Sequence, residues 1–229
     1  MAKVDHEGVT VHVHPDVVAV IELYGDLVGR GAVERTRFNQ VHLLAERLAE
    51  GHQARHRGAF VELTNWHPAL VGLSPDELWA RTLDPPDCHL AVARQRGYDR
   101  VEEVVPDSIA PSAPFEAAVD GMLAGDIDAM ASLLGEHPDL AGRTSHWPHH
   151  ATLLHYATAN GVETYRQVVP SNLPEMVSML VDHGADVNAA AHAYGADLRP
   201  LGLLLSSAHP RNAGVIDEVA GILRAAGAS

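Results

Sequence analysis

The sequence predicts an all-α protein: helical hairpins set in a row, with an irregular helical half before them. Apolar residues recur at helical spacing over 33–50, where Val41, Leu44 and Leu48 fall on one face. Helix-start signals are strong, above all Ser74-Pro75-Asp76-Glu77, with Ser as cap, Pro in the first turn and Glu three residues after the cap. After residue 113 a pair of helix-like segments returns several times.

Taken in order, residues 9–14 (VTVHVH) alternate like a short strand. That places His12 and His14 on one face, as a metal pair or simply as polar groups on an exposed edge. Pro15 opens an apolar helix that Gly29-Arg30-Gly31 breaks. The amphipathic helix over 33–50 follows, then a short helix over 59–65 ending at His67-Pro68. Helices are expected over 86–97 and 98–105. Residues 106–114 carry three prolines and two serines and form the best boundary in the chain. The expected organisation is an N-terminal arm and helix over 1–35, a helical region over 36–112, and repeats over 113–229.

Composition narrows the function. The chain has 229 residues, 46% apolar and 20% charged, as a folded protein with a real core would. Its formal charge is −14, from 30 acidic and 16 basic residues, which argues against a nucleic-acid partner. Lys3 is the one lysine, so lysine Schiff-base and P-loop chemistry are unsupported. The one cysteine, Cys88, allows neither an internal disulfide nor a multi-thiolate metal site, and in a helix it does not face its neighbour His89. No apolar run reaches the ~18 residues of a membrane span and no secretory leader is evident, so a cytoplasmic protein without a membrane partner is expected.

Residues 152–157 are TLLHYA and residues 180–188 are LVDHGADVN. Both resemble the ankyrin repeat, whose unit opens T-P-L-H-x-A and ends its second helix in G-A-D-x-N. Three units can be laid out, over 115–140, 152–188 and 199–228, with Leu153 in place of the usual Pro and Gly202 in place of the usual His. The resemblance implies a short solenoid of the stand-alone bacterial kind and a surface that recognises another protein. In it, Thr152 would cap a helix, His155 would tie neighbouring turns, and Gly184 would end the second helix in a left-handed conformation. Trp66-His67-Pro68-Ala69-Leu70 echoes Glu136-His137-Pro138-Asp139-Leu140, which suggests a decayed repeat in the first half.

Against the ankyrin spacing, the second unit carries eleven extra residues and the third carries seven, both before the second helix. Equivalent loops of stacked repeats become neighbours. The insertions at 162–174 and 209–215 are therefore expected to form one polar surface. Glu163 and His209 suit acid–base roles and Arg166 an anion clamp. Tyr165, Asn172, Arg211, His155, Trp147 and Tyr194 are candidate ligand contacts. His146, His149 and His150 can converge on a divalent transition metal, or decorate a solvated loop; no other cofactor is indicated. Two functions follow. The first is a protein-binding module using the finger loops around 141–151 and 189–198. The second is a binder of a small polar or anionic molecule, or a lyase, isomerase or cyclase, using the insertion pocket.

Overall fold

The computed structural model describes residues 5–6, 8–29, 35–107 and 109–229. The break expected at Arg30-Gly31 and the first two positions of the helix expected over 33–50 lie outside the described residues. The chain is 58% helix with a few short strands. No helix among the described residues is long and apolar enough to cross a membrane.

Strand β1 (Asp5–His6) pairs with β2 (Val9–Val13). Helix α1 (Pro15–Tyr24) starts on Pro15, and the His14 ring accepts the Asp16 N–H at its open end. Helix α2 (Arg37–Gln53) is capped by Thr36 and buries Val41, Leu44 and Leu48 completely. Helix α3 (Arg57–Trp66) follows, then α4 (Pro75–Trp79), which carries the expected capping box, and α5 (Pro85–Gln95). Helices α1, α2 and α5 pack around α3 and close one apolar core. The helix expected over 98–105 is only a 3-10 turn at Val101–Glu103. There the Glu103 carboxylate folds back to accept the Asp99 and Arg100 N–H groups, and Pro106 disfavours helix just before it.

The second half holds α6 (Ala113–Ala124), α7 (Ile127–Glu136), α8 (Leu153–Ala157), α9 (Leu173–Asp182), α10 (Pro200–Ser206), α11 (Ala208–Ala213) and α12 (Ile216–Ala225). Helix α8 packs against α6 and α10, while α9 packs against α7 and α12. Three helix pairs therefore lie side by side over a second apolar core. Thr152 and His155 form a capping box, and the His155 ring also reaches the Leu198 carbonyl at 3.2 Å. Gly184 ends α9 at φ +83°, where a side chain would strain the backbone.

The echoed segments fold alike. In each, the His N–H bonds back to a leucine carbonyl of the preceding helix, Leu63 or Leu133. In each, the leucine three residues on, Leu70 or Leu140, bonds to that histidine's carbonyl and is buried.

Strand β3 (Val168–Pro170) lies inside the first insertion and pairs antiparallel with β2, in register Val11 to Pro170 and Val13 to Val168. The insertion is thus stitched to the start of the chain. Helix α11, the second insertion, packs on both β2 and β3. The two insertions are neighbours, but the first is not a free polar surface: residues 162–167 are almost wholly buried. The N-terminal half covers them.

The loops at 141–151 and 189–198 are covered in part: Trp147, His149, Ala191 and Ala193 are buried, while His146, His150 and residues 194–197 stay exposed. Residues 189–198 hold a hairpin, β4 (Ala191–Ala193) and β5 (Ala196–Leu198), turning at Tyr194-Gly195 with both φ values positive. The His149 N–H bonds to the Arg96 carbonyl at 3.3 Å, and the His192 N–H bonds to the His149 carbonyl at 2.8 Å. The fingers are therefore laced to the end of α5. Gly97 makes this approach possible: its φ is +87°, and a Cβ there would overlap the His149 backbone. Gly97→Ala is expected to lower stability by about 2 kcal/mol or more. Gly202→Ala, in α10 with open space around it, is expected to raise stability by roughly 0.5–1 kcal/mol. Urea unfolding of the two variants measures both; equal effects would contradict this packing.

Candidate functional site

The first insertion begins with Glu163, which has no solvent exposure. The Arg96 guanidinium, carried to it by the end of α5, donates to its Oε1. Arg96 also donates to the Tyr165 hydroxyl at 3.2 Å and lies over the Trp147 ring, 4.5 Å from its centroid. Arg166 stands on the other side of Glu163 at 3.9 Å and donates to Glu116 of α6 at 2.5 Å and to Asp120 at 3.5 Å. Its guanidinium lies over the rings of Tyr156 and Tyr165. His149 completes the cluster. Its Nδ1 accepts the Ala151 N–H at 2.9 Å, which leaves the ring proton on Nε2, 3.7 Å from Glu163.

A second hydrogen-bond chain continues into the N-terminal core. Thr164 accepts from the Trp66 indole at 2.9 Å and from Gln95 at 3.3 Å. Gln95 and Tyr24 both donate to Glu62, at 2.6 and 2.8 Å. Glu62 is wholly buried, and burial raises its pKa above the ordinary carboxylate value. Glu163 behaves oppositely. Burial alone would raise its pKa, but Arg96, the nearby His149 ring and Arg166 outweigh that and hold it well below the usual carboxylate range. Burial likewise opposes charge on the two arginines, and Tyr165 and the facing carboxylates overcome it.

This corrects the catalytic reading of Glu163 and Arg166. A carboxylate that is permanently ionised and sealed between two guanidiniums neither takes nor gives a proton near neutral pH. His209 is also apart from them. It lies on α11, lining a cleft of about 250 Å³ with His14, Asp16, Thr64, Asn65 and Gln167. Burial first, then the neighbouring His14 and His12, push its pKa down to about 4. The expected acid, base and anion clamp do not share one opening.

The metal reading of His146, His149 and His150 is corrected too. His146 bonds the Ala110 carbonyl at 2.9 Å, His149 is buried against Glu163, and His150 is exposed at a positive φ. No group of three His, Cys, Asp or Glu side chains among the described residues is placed to hold a metal ion.

The remaining candidates scatter. Trp147 and Tyr165 are buried in the cluster, and His155 is structural within its capping box. Asn172 donates to the Gly125 carbonyl at 2.9 Å, and Arg211 to the Leu205 carbonyl at 3.2 Å. Tyr194, 46% exposed, stacks on Trp66 with centroids 4.8 Å apart and planes 2° apart. Arg96, Glu116 and Glu62 carry no mark in the sequence, and Trp66 stands out there only as part of the echoed turn. Arg96 ends a helix beside a glycine, where an arginine ordinarily faces water, and nothing local marks it as buried.

Glu163→Gln leaves two buried cations facing a neutral amide, and a loss of about 3–5 kcal/mol is expected in urea unfolding. A separate prediction concerns pH. Burial lowers the His155 pKa to about 4, like that of His209, whereas an unfolded histidine titrates near about 6.5. Between those values these two histidines bind more protons in the unfolded chain, so their contribution to stability falls as pH drops from about 6.5 to about 4 and is constant above, while Glu62, raised by burial, contributes with the opposite sign. Glu163 adds nothing to that window, because its contribution is lost only at lower pH. His155→Gln is expected to flatten the slope; an unchanged slope would assign it to other groups.

No protein-family model matches the chain, and no curated protein and no solved structure gives a significant match.

Proposed function

We propose that the chain is a binding module of ankyrin-like build whose finger side is taken up by its own N-terminal half. The patch created where the two meet recognises an extended segment of another protein. The side-by-side helix pairs, the capping box at Thr152 and the left-handed Gly184 support the ankyrin-like reading. The separation of Glu163 and Arg166 from His209 favours binding over acid–base catalysis.

One observation carries the choice of surface: the half-exposed Tyr194 ring lies flat on Trp66. Beside the pair is a depression of about 200 Å³, bordered by Asn65, Pro68, Val71 and Arg94. Val71 is 63% exposed. Aromatic and arginine side chains around a small apolar hollow are the composition of a binding hot spot. Trp147, expected as a finger contact, is inside the protein, so the contact surface moves to Tyr194. A partner fits if it offers an aliphatic or proline side chain to the hollow and a carboxylate that shares Arg94 with Asp99, whose carboxylate lies 3.7 Å from it.

The test is selection from a random dodecapeptide library displayed on phage. Enriched peptides with an aliphatic residue or proline beside Asp or Glu are expected. Tyr194→Ala and Val71→Asp, both at exposed positions, are expected to weaken their binding by about tenfold or more. No enrichment, or binding indifferent to both substitutions, would overturn the proposal.

A further inference from the structure

A second opening lies elsewhere, between the end of β2, α1, α3 and α11. It is the roughly 250 Å³ cleft that holds His209. Its wall is apolar, built by Val17, Phe60 and Val61. Its polar groups come from four separate stretches of chain: His14 and Asp16, Thr64 and Asn65, Gln167, and His209.

The charges in it are already matched. Asp16 takes the Arg57 guanidinium in two contacts, at 2.9 and 2.8 Å. No arginine or lysine lines the cleft, so nothing there would hold a phosphate or carboxylate. A cationic ligand would have to displace Arg57 from Asp16. The histidines do not form a metal centre either. The His14 Nδ1 is occupied by the Asp16 N–H, and its ring meets His209 edge to face at 5.7 Å.

What remains is hydrogen-bonding capacity without charge. The His209 Nδ1 is buried with no partner among the described residues. Gln167 uses its Nε2 on the Val162 carbonyl at 3.0 Å, which leaves its Oε1 to accept. The Asn65 amide makes no hydrogen bond among the described residues and is exposed at the rim. Drug-sized ligands occupy roughly 300–1,000 Å³, so this cleft takes something smaller.

We propose that this cleft binds a small uncharged hydroxylated ring compound, a free pyranose or a cyclic polyol. Its apolar ring face lies against Val17, Phe60 and Val61, and its hydroxyl edge bonds Asn65, Gln167 and His209. This cleft borders the Tyr194 hollow at Asn65 but shares no other lining residue with it, and the proposal does not rest on the Tyr194 reading.

Ligand-observed NMR near neutral pH tests it with three probes: glucose, myo-inositol and glucose 6-phosphate. Saturation transfer to glucose or myo-inositol is expected, and none to the phosphate. Asn65→Ala changes only an exposed side chain, and His209→Phe keeps an aromatic ring while removing its hydrogen-bonding nitrogens. Each, with its melting temperature checked against the native chain, is expected to weaken binding by about tenfold. The proposal fails if neither neutral probe gives a signal or if the phosphate binds as well. It also fails if Asn65→Ala, which does not touch the core, binds like the native protein.

Discussion

The structure turns on one buried carboxylate. Glu163 sits without solvent between Arg96 and Arg166, and those cations arrive from different parts of the chain. Arg96 comes from the end of α5 in the first half, while Arg166 comes from the insertion and is itself held by Glu116 of α6. Burying a charge is unfavourable unless it is paired, so no member of the cluster can be left alone inside. The two halves must meet in this one arrangement. Aromatic rings cover both guanidiniums, which suits the weakly hydrated, planar arginine head far better than a lysine.

That constraint explains why the insertion exists. A plain helical hairpin would have no segment long enough to bring Glu163 to α5 and then pair β3 with β2. The finger loops follow the same logic. His149 contacts the Arg96-Gly97 backbone and His192 follows behind it. A surface that would otherwise be free for a partner is filled in cis. In the proposed reading, binding falls to the seams: the Tyr194–Trp66 patch on one side and the His209 cleft on another.

Much of the local structure was legible. Pro15, Thr152 and the Ser74 box announced their helices through capping chemistry, which is local and needs no tertiary context. The stretches read as insertions, 162–174 and 209–215, were expected to lead into the second helix of a pair, and they lead into α9 and α12. The His-Pro turns at 67 and 137 were legible because a repeated segment is a one-dimensional signal. What the insertions touch was not. The VTVHVH strand carries no mark of its partner: Val11 pairs with Pro170, 159 positions later in the chain. Glu163 and Arg166 are polar residues in a long loop, and such loops ordinarily face water. Only the arrival of Arg96 makes burial tolerable, and Arg96 lies 67 positions away. The helix expected over 98–105 failed for a local reason instead, the fold-back of Glu103 onto the Asp99 and Arg100 amides.

The most direct test of the account is a double-mutant cycle in urea unfolding with Arg96→Met and Glu163→Gln. If the cluster joins the halves as described, each single substitution leaves a buried charge without its partner, and the pair together removes both. The double variant should then be destabilised by less than the sum of the singles, with a coupling of about 2–3 kcal/mol. Additive losses would show that Glu163 and Arg96 act independently, and the central role given to their contact would be wrong.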